Sequence, residues 1–209
     1  MQIAAVPGAG DDVAPAEVFR RLYEDDGSTW GKGSGAGSSP YHTIEYRGFI
    51  DKFIRMNNVA SIVDIGCGDW QFSRFLNLDG VRYTGLDVVA SVIERVAKKY
   101  ASETIRFGLM PEDWSQLPPA DLLLLKDVLQ HVPDAEIRRF RDIAFPKYKT
   151  CLITNSYRKL NTPRNVDIRP GGFRCLDLQA PPYSLRGSYV LEFSTGLSEW
   201  VRTLLHTPP

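Results

Sequence analysis

The chain lacks an excess of charge of either sign. Lys and Arg total 25, Asp and Glu total 25, and the formal net charge over 209 residues is zero. That excludes the strongly basic surface on which general nucleic-acid or membrane binding depends. The local cluster Arg138, Arg139 and Arg141 fits the exposed face of a helix. Paired cysteines are also lacking. Cys67, Cys151 and Cys175 have no metal-ligand spacing, and they read as free thiols of a reducing cytosol, two of them in apolar strand-like runs as buried small hydrophobes. No apolar run approaches the roughly 18 residues of a membrane span, and no basic segment followed by a long apolar core opens the chain. The expectation is a soluble, cytoplasmic protein.

What is present is an ordinary globular composition, 43% hydrophobic and 24% charged, at a length that suits one α/β domain. After a loose arm, "PAEVFRRLYEDD" can form a short helix with Val18, Phe19 and Leu22 on one side. The Gly/Ser-rich stretch from Gly27 to Pro40 carries Trp30 and Lys32, and is expected to fold over a ligand. "YHTIEYRGFIDKFIRMNN" is an amphipathic helix with Ile44, Phe49, Ile50, Phe53 and Ile54 inward. Strands follow at "ASIVDIG", "VRYTGLDVV", "TIRFGLM", "ADLLLLKDV" and "KTCLITNS", largely alternating with helices at "DWQFSRFLNL", "ASVIERVAKKYA" and "DAEIRRFRDIAFPKY". This alternation predicts a doubly wound, Rossmann-like parallel sheet. "SYVLEFS" and "EWVRTLLHT", joined at Thr195-Gly196-Leu197, predict a closing antiparallel hairpin, for seven mostly parallel strands in all. The expected organisation is a single domain over 1–209. It comprises an arm and lid (1–43), a cofactor-binding core (44–155), an acceptor-side loop (156–188) and the hairpin (189–209).

"VDIGCGDW" ends the first strand in two glycines one residue apart. Gly66 allows a sharp turn, and Gly68 allows close approach to a ligand. The second strand ends at Asp87, 19 residues past Gly68, where a carboxylate can accept both hydroxyls of a ribose. A dinucleotide loop would carry a third glycine, but Gln71 occupies that position. Asp64, ahead of the loop, would repel phosphates but could orient an ammonium group. The loop therefore suits a ligand with ribose, adenine and an amino-acid end, such as S-adenosylmethionine.

Together "VDIGCGDW", "YTGLDVV" and "DLLLLKDVLQHV" resemble motifs of the class I S-adenosylmethionine-dependent methyltransferases, over roughly residues 44–155. The resemblance implies that Asp64, Gly66 and Gly68 line the methionine end, with Cys67 and Lys126 also among the cofactor-binding residues. Asp87 would hold the ribose and Val88 would pack on adenine. Many members have a third glycine where Trp70 stands; its indole is expected to wall the pocket or pack under the loop. The usual adenine-side acid is displaced to Glu112 or Asp113, and Asp113 equally suits a cap. "WGKGSGAGS" and "DIRPGGFRCLDLQAPPY" are similar to methyltransferase domains found with sugar-processing enzymes.

Methyl transfer to a hydroxyl needs alignment and a proton acceptor, and His131 and Asp127 are the candidates. A Mg²⁺ site of Asp127, Asn155 and Asp167 is an alternative that the spacing does not demand. Between 156 and 188, Arg164, Arg169, Arg174, Asn161, Asn165, Asp167, Tyr157, Phe173 and Tyr183 offer polar groups and stacking faces suited to a sugar. The expected function is O-methylation of a sugar, a glycan or another polar small molecule, releasing S-adenosylhomocysteine. The alternatives are N-methylation of a small amine, or a non-catalytic cofactor-binding partner of a glycosyltransferase. Nucleic-acid methylation is disfavoured, because the fourth strand ends in "KDVLQ" without the Pro-Pro signature of base N-methylation.

Overall fold

The computed structural model describes residues 14–24, 33–159, 164–197 and 199–209. Seven strands form one sheet: β1 (Ser61–Ile65), β2 (Arg82–Asp87), β3 (Ile105–Leu109), β4 (Ala120–Lys126), β5 (Tyr148–Lys159), β6 (Ser188–Ser194) and β7 (Glu199–His206). Their spatial order is β3-β2-β1-β4-β5-β7-β6. The first five are parallel, and β7 lies antiparallel between β5 and β6. The winding reverses between β1 and β4, so the crevice beyond their carboxyl ends is where an open α/β sheet takes its ligand.

The helices are α1 (Pro15–Glu24), α2 (Ile44–Met56), α3 (Ala90–Tyr100) and α4 (Asp134–Arg139). Successive side chains of a strand face opposite sides of the sheet, and here both sides are covered. Ile62, Leu122 and Leu124 pack with Ile50 and Ile54 of α2 and Ile93 and Val96 of α3. Val63, Ile65, Leu123 and Leu125 pack with Ile137, Phe140 and Phe145 on the other side. Burial on both sides is why β4 reads as an unbroken apolar run.

Two details differ from expectation. The helix predicted over "DWQFSRFLNL" is only a 3-10 turn, Ser73–Phe75, and Phe75 is exposed. Trp70 holds a left-handed φ of 60° and sinks its indole among Tyr83, Tyr100 and Phe107, which breaks the helical path at its start. Ile44 is exposed at the first turn of α2, and the buried stripe runs instead through Tyr46, Ile50 and Ile54.

Candidate active site

The loop after β1 repeats a left-handed backbone at alternate residues: Gly66 (φ 76°), Gly68 (φ 55°) and Trp70 (φ 60°). At Gly66 a Cβ would fall 2.3 Å from Val128 Cγ2, and at Gly68 2.2 Å from Ser34 Oγ, so a side chain at either position would be strained and would displace its neighbour. Gly66 lies on the wall of a cavity of about 690 Å³. Gly68 does not; its N–H donates to Asp87 Oδ2 (3.0 Å). Asp87 Oδ1 accepts from the Val89 N–H (3.1 Å). Two N–H donors thus orient the carboxylate, which still has lone pairs for further donors. Asp87 is only 6% exposed, and burial raises its pKa above the usual carboxylate value. Val88 beside it is 39% exposed and lines the same cavity.

Behind the loop, a recess of about 20 Å³ is bordered by Asp64, Cys67 and Lys126, with Gly66 shared between recess and cavity. That volume admits about one water-sized group. Asp64 Oδ2 accepts from Tyr83 Oη (2.5 Å) and Ser73 Oγ (3.3 Å). Burial pushes its pKa up to about 6, against those two donors. Burial also holds the Cys67 thiol well above its ordinary value, so it is no nucleophile. Lys126 Nζ donates to Gly37 O (3.3 Å) and pairs with Asp127 Oδ2. Asp127 closes β4 with a φ of 57°, and its buried Oδ1 has no hydrogen-bond partner among the described residues.

Elements distant in sequence roof the cavity. Phe19 and Tyr23 of α1 and the segment Ser34–Ser38 line it. Ser34 Oγ donates to Asp69 Oδ1 (2.7 Å), accepts from the Asp69 N–H (3.0 Å) and meets Tyr23 Oη (3.0 Å), fastening the roof to the glycine loop. Leu109, Met110, Glu112, Trp114 and Phe140 give the wall beyond Val88. Arg139 braces that wall, donating to Glu112 O (2.8 Å) with its guanidinium 4.0 Å from the Trp114 ring centre.

A family model described as a methyltransferase domain matches residues 62–145, which hold the glycine loop, Asp64, Asp87, Lys126, Asp127 and His131. No curated protein matches the sequence. Solved structures share the fold. The DhpI–SAH complex superposes with a TM-score of 0.59 at 17% identity, over 93% of this chain and 95% of that one. Magnesium protoporphyrin IX methyltransferase from Synechocystis PCC 6803, with bound SAH, gives 0.56 at 12% identity over 91% and 94%. The methyltransferase domain of bacterial CtHen1 gives 0.57 at 16% identity over 78% and 97%.

The same cavity is also lined by Gln130, His131, Ser156, Phe173 and Glu199. His131 Nδ1 lies 2.7 Å from Gly172 O, so that nitrogen carries the proton and donates. Loss of surrounding water lowers the His131 pKa below 6.5, against the Gly172 bond and the carboxylates of Asp127 and Glu199. The imidazole is therefore neutral near pH 7. Glu199 accepts from Ser156 Oγ (2.8 Å) and Lys159 Nζ (2.9 Å).

The cavity thus gathers Gly66, Asp87, Val88, Lys126, Asp127 and His131. Cys67 and Asp64 border the recess behind it. Trp70, 4% exposed, packs under the loop and lines neither space. Asp113 caps the turn at 114–116, accepting from the Ser115 N–H (2.9 Å), while Glu112 reaches the cavity wall. Trp30 and Lys32 lie outside the described residues. Of the metal alternative, Asp127 lines the cavity, but Asn155 and Asp167 do not. Asp167 Oδ1 accepts from the Asp134 N–H (2.8 Å) and the Ile168 N–H (2.9 Å). Among the described residues no group of His, Cys, Asp and Glu is arranged to hold a metal ion. Sequence reasoning missed Tyr23 and Glu199, which come from segments bearing no motif; Ser34 and Ser156 lie in segments expected at the ligand but were not singled out. Arg174, expected on the acceptor wall, is buried and pairs with Asp134 (2.5 Å).

Proposed function

We propose that the protein is an S-adenosylmethionine-dependent O-methyltransferase acting on a hydroxyl of a polar small molecule, a sugar or glycan unit. The observation that supports this reading is a single cavity. It runs from the ribose-type acceptor Asp87 to a neutral imidazole at His131. The residues fit the cofactor. Asp87 would accept the ribose hydroxyls, Val88 and Leu109 would offer apolar faces to adenine, and Asp64 and Lys126 would flank the zwitterionic amino-acid end. When bound, S-adenosylmethionine supplies an electrophilic sulfonium methyl group. His131 Nε2 would accept the proton of the acceptor hydroxyl as that oxygen takes the methyl group. Asp127 is the weaker candidate for base, because its carboxylate is already committed to Lys126. Gln130, Ser156 and Glu199 supply hydrogen-bonding groups for a hydroxylated acceptor, and Phe173 a stacking face.

The test is S-adenosylhomocysteine release with monosaccharides, nucleotide sugars and cell-derived glycans, alongside small amines. Turnover with a hydroxylated acceptor is expected. His131→Ala should lower it by about 10²–10⁴-fold with cofactor affinity retained, the usual contribution of a general base. Chelator should have no effect. Turnover with amines alone, or an unimpaired His131→Ala enzyme, would overturn the reading.

A further inference from the structure

Gln130 sits beside His131, is buried, and borders the cavity. The Ser156 N–H points at one end of its amide, 2.6 Å away. A backbone N–H only donates, so that end is the carbonyl Oε1. The other end is the NH₂ group, 3.3 Å from His131 Nε2. An amide NH₂ only donates, so Nε2 is the unprotonated nitrogen. The opposite side of the ring gives the same assignment, because Gly172 O only accepts and therefore takes its proton from Nδ1. A flipped Gln130 would set NH₂ against the Ser156 N–H. The backbone is held as well: Gln130 N donates to Asn155 Oδ1 (3.2 Å), and Gln130 O accepts from the Arg174 N–H (3.1 Å).

We infer that Gln130 is a positioning residue that keeps His131 neutral, with the proton on Nδ1 and Nε2 as the proton acceptor. The inference rests on the reading of His131 as base for its catalytic meaning, though not for its geometry. Protonation of Nε2 would place two N–H donors face to face, so Gln130 disfavours the imidazolium. The charged groups that pull the other way are Asp127 at the end of β4 and Glu199 at the start of β7. At 3.3 Å the Gln130 contact is long, enough to select the tautomer without the strength of a short hydrogen bond.

The test combines Gln130→Met, which removes the donor, and Gln130→Glu, which sets a carboxylate against Nε2. Nitrogen NMR of histidine-labelled protein follows the His131 ring, identified by its loss in His131→Ala. The wild-type ring should show the Nδ1–H tautomer. Its pKa should rise in Gln130→Met and rise further, by about one pH unit or more, in Gln130→Glu. The rising limb of turnover against pH should move in the same order. Activity lost at neutral pH, about tenfold for each pH unit that the limb moves, should return at higher pH. Such rescue is not expected from a merely structural role. If Gln130→Glu fails to fold, the pKa rise in Gln130→Met decides alone. An unmoved His131 pKa, or a wild-type Nε2–H tautomer, overturns the inference. A His131 pKa that rises while the pH profile stays in place upholds the role of Gln130 and refutes His131 as the base.

Discussion

Replacing Asp64 by Asn should stabilise the ligand-free protein and weaken cofactor binding. Asp64 is buried, and its pKa stands at about 6 against an ordinary 3.8. Keeping it ionised at neutral pH therefore costs about 3 kcal/mol, at roughly 1.4 kcal/mol per pH unit. The sign follows from proton counting. Between pH 4 and 6 the unfolded chain has released this proton and the folded chain retains it, so stability falls as pH rises through that window. It levels off above pH 6. Asn has no such slope. Its Oδ1 can occupy the Oδ2 place and keep the bonds from Tyr83 and Ser73. Urea unfolding at pH 4 and pH 7.5 should show the variant gaining up to about 3 kcal/mol relative to wild type between the two. Calorimetry with S-adenosylmethionine should show the reverse at pH 7.5, a loss of about 1.5–3 kcal/mol, the scale of a hydrogen bond to a charged group. Wild-type affinity should also rise from pH 5 to 7, because an ionised Asp64 binds the ligand ammonium better, and the variant should lack that rise. A variant less stable at both pH values with unchanged cofactor affinity would refute both the buried cost and the placement of the ammonium.

Asp87→Ala should lower cofactor affinity by about 1.5–3 kcal/mol, read by calorimetry. It should also lower the melting temperature, since the Gly68 and Val89 N–H groups lose their acceptor. Trp70→Gly should relieve a left-handed strain of about 1–2 kcal/mol but lose core packing worth about 3–5 kcal/mol. Its net destabilisation in urea should be about 1–4 kcal/mol, and a stabilised variant would show that the indole is not holding the loop.

The sheet was legible because its strands are short apolar runs closed by turn residues, and because one hairpin is joined by a short turn. The helix after β1 was not, since the periodicity of Phe72, Phe75 and Leu76 says nothing of the backbone angle at Trp70. At the site, Gly66 and Asp87 were legible from one strand–loop–strand segment. Tyr23 and Glu199 were not, because tertiary folding brings them in from both ends of the chain. Glu112 and Asp113 differ by one position, and only the turn that Asp113 caps decides which carboxylate faces the cavity. Arg174 misled for a related reason. A guanidinium in a polar loop reads as exposed, yet this one is 2% exposed, donating to Asp134 Oδ1 (2.5 Å) and Val132 O (2.6 Å). Tyr183 also donates to Asp134 (2.5 Å), so these side chains fasten the acceptor-side segment to α4 instead of facing a ligand.

Trp70 shows how a motif can depart in residue and persist in geometry. The third glycine common in related loops suits a left-handed backbone, and Trp70 occupies that backbone at φ 60°. A bulky residue there is strained by about 1–2 kcal/mol. The indole offsets this by packing 5.0–5.6 Å, centre to centre, from Tyr83, Tyr100 and Phe107. Two of those rings stand on β2 and β3, so the loop is anchored to the strands that carry Asp87 to the cavity. The loop shape that glycine permits by its freedom is here enforced by aromatic packing. The same packing ends the helix that would otherwise have begun at this point, and the connection from β1 to β2 holds only the 3-10 turn Ser73–Phe75.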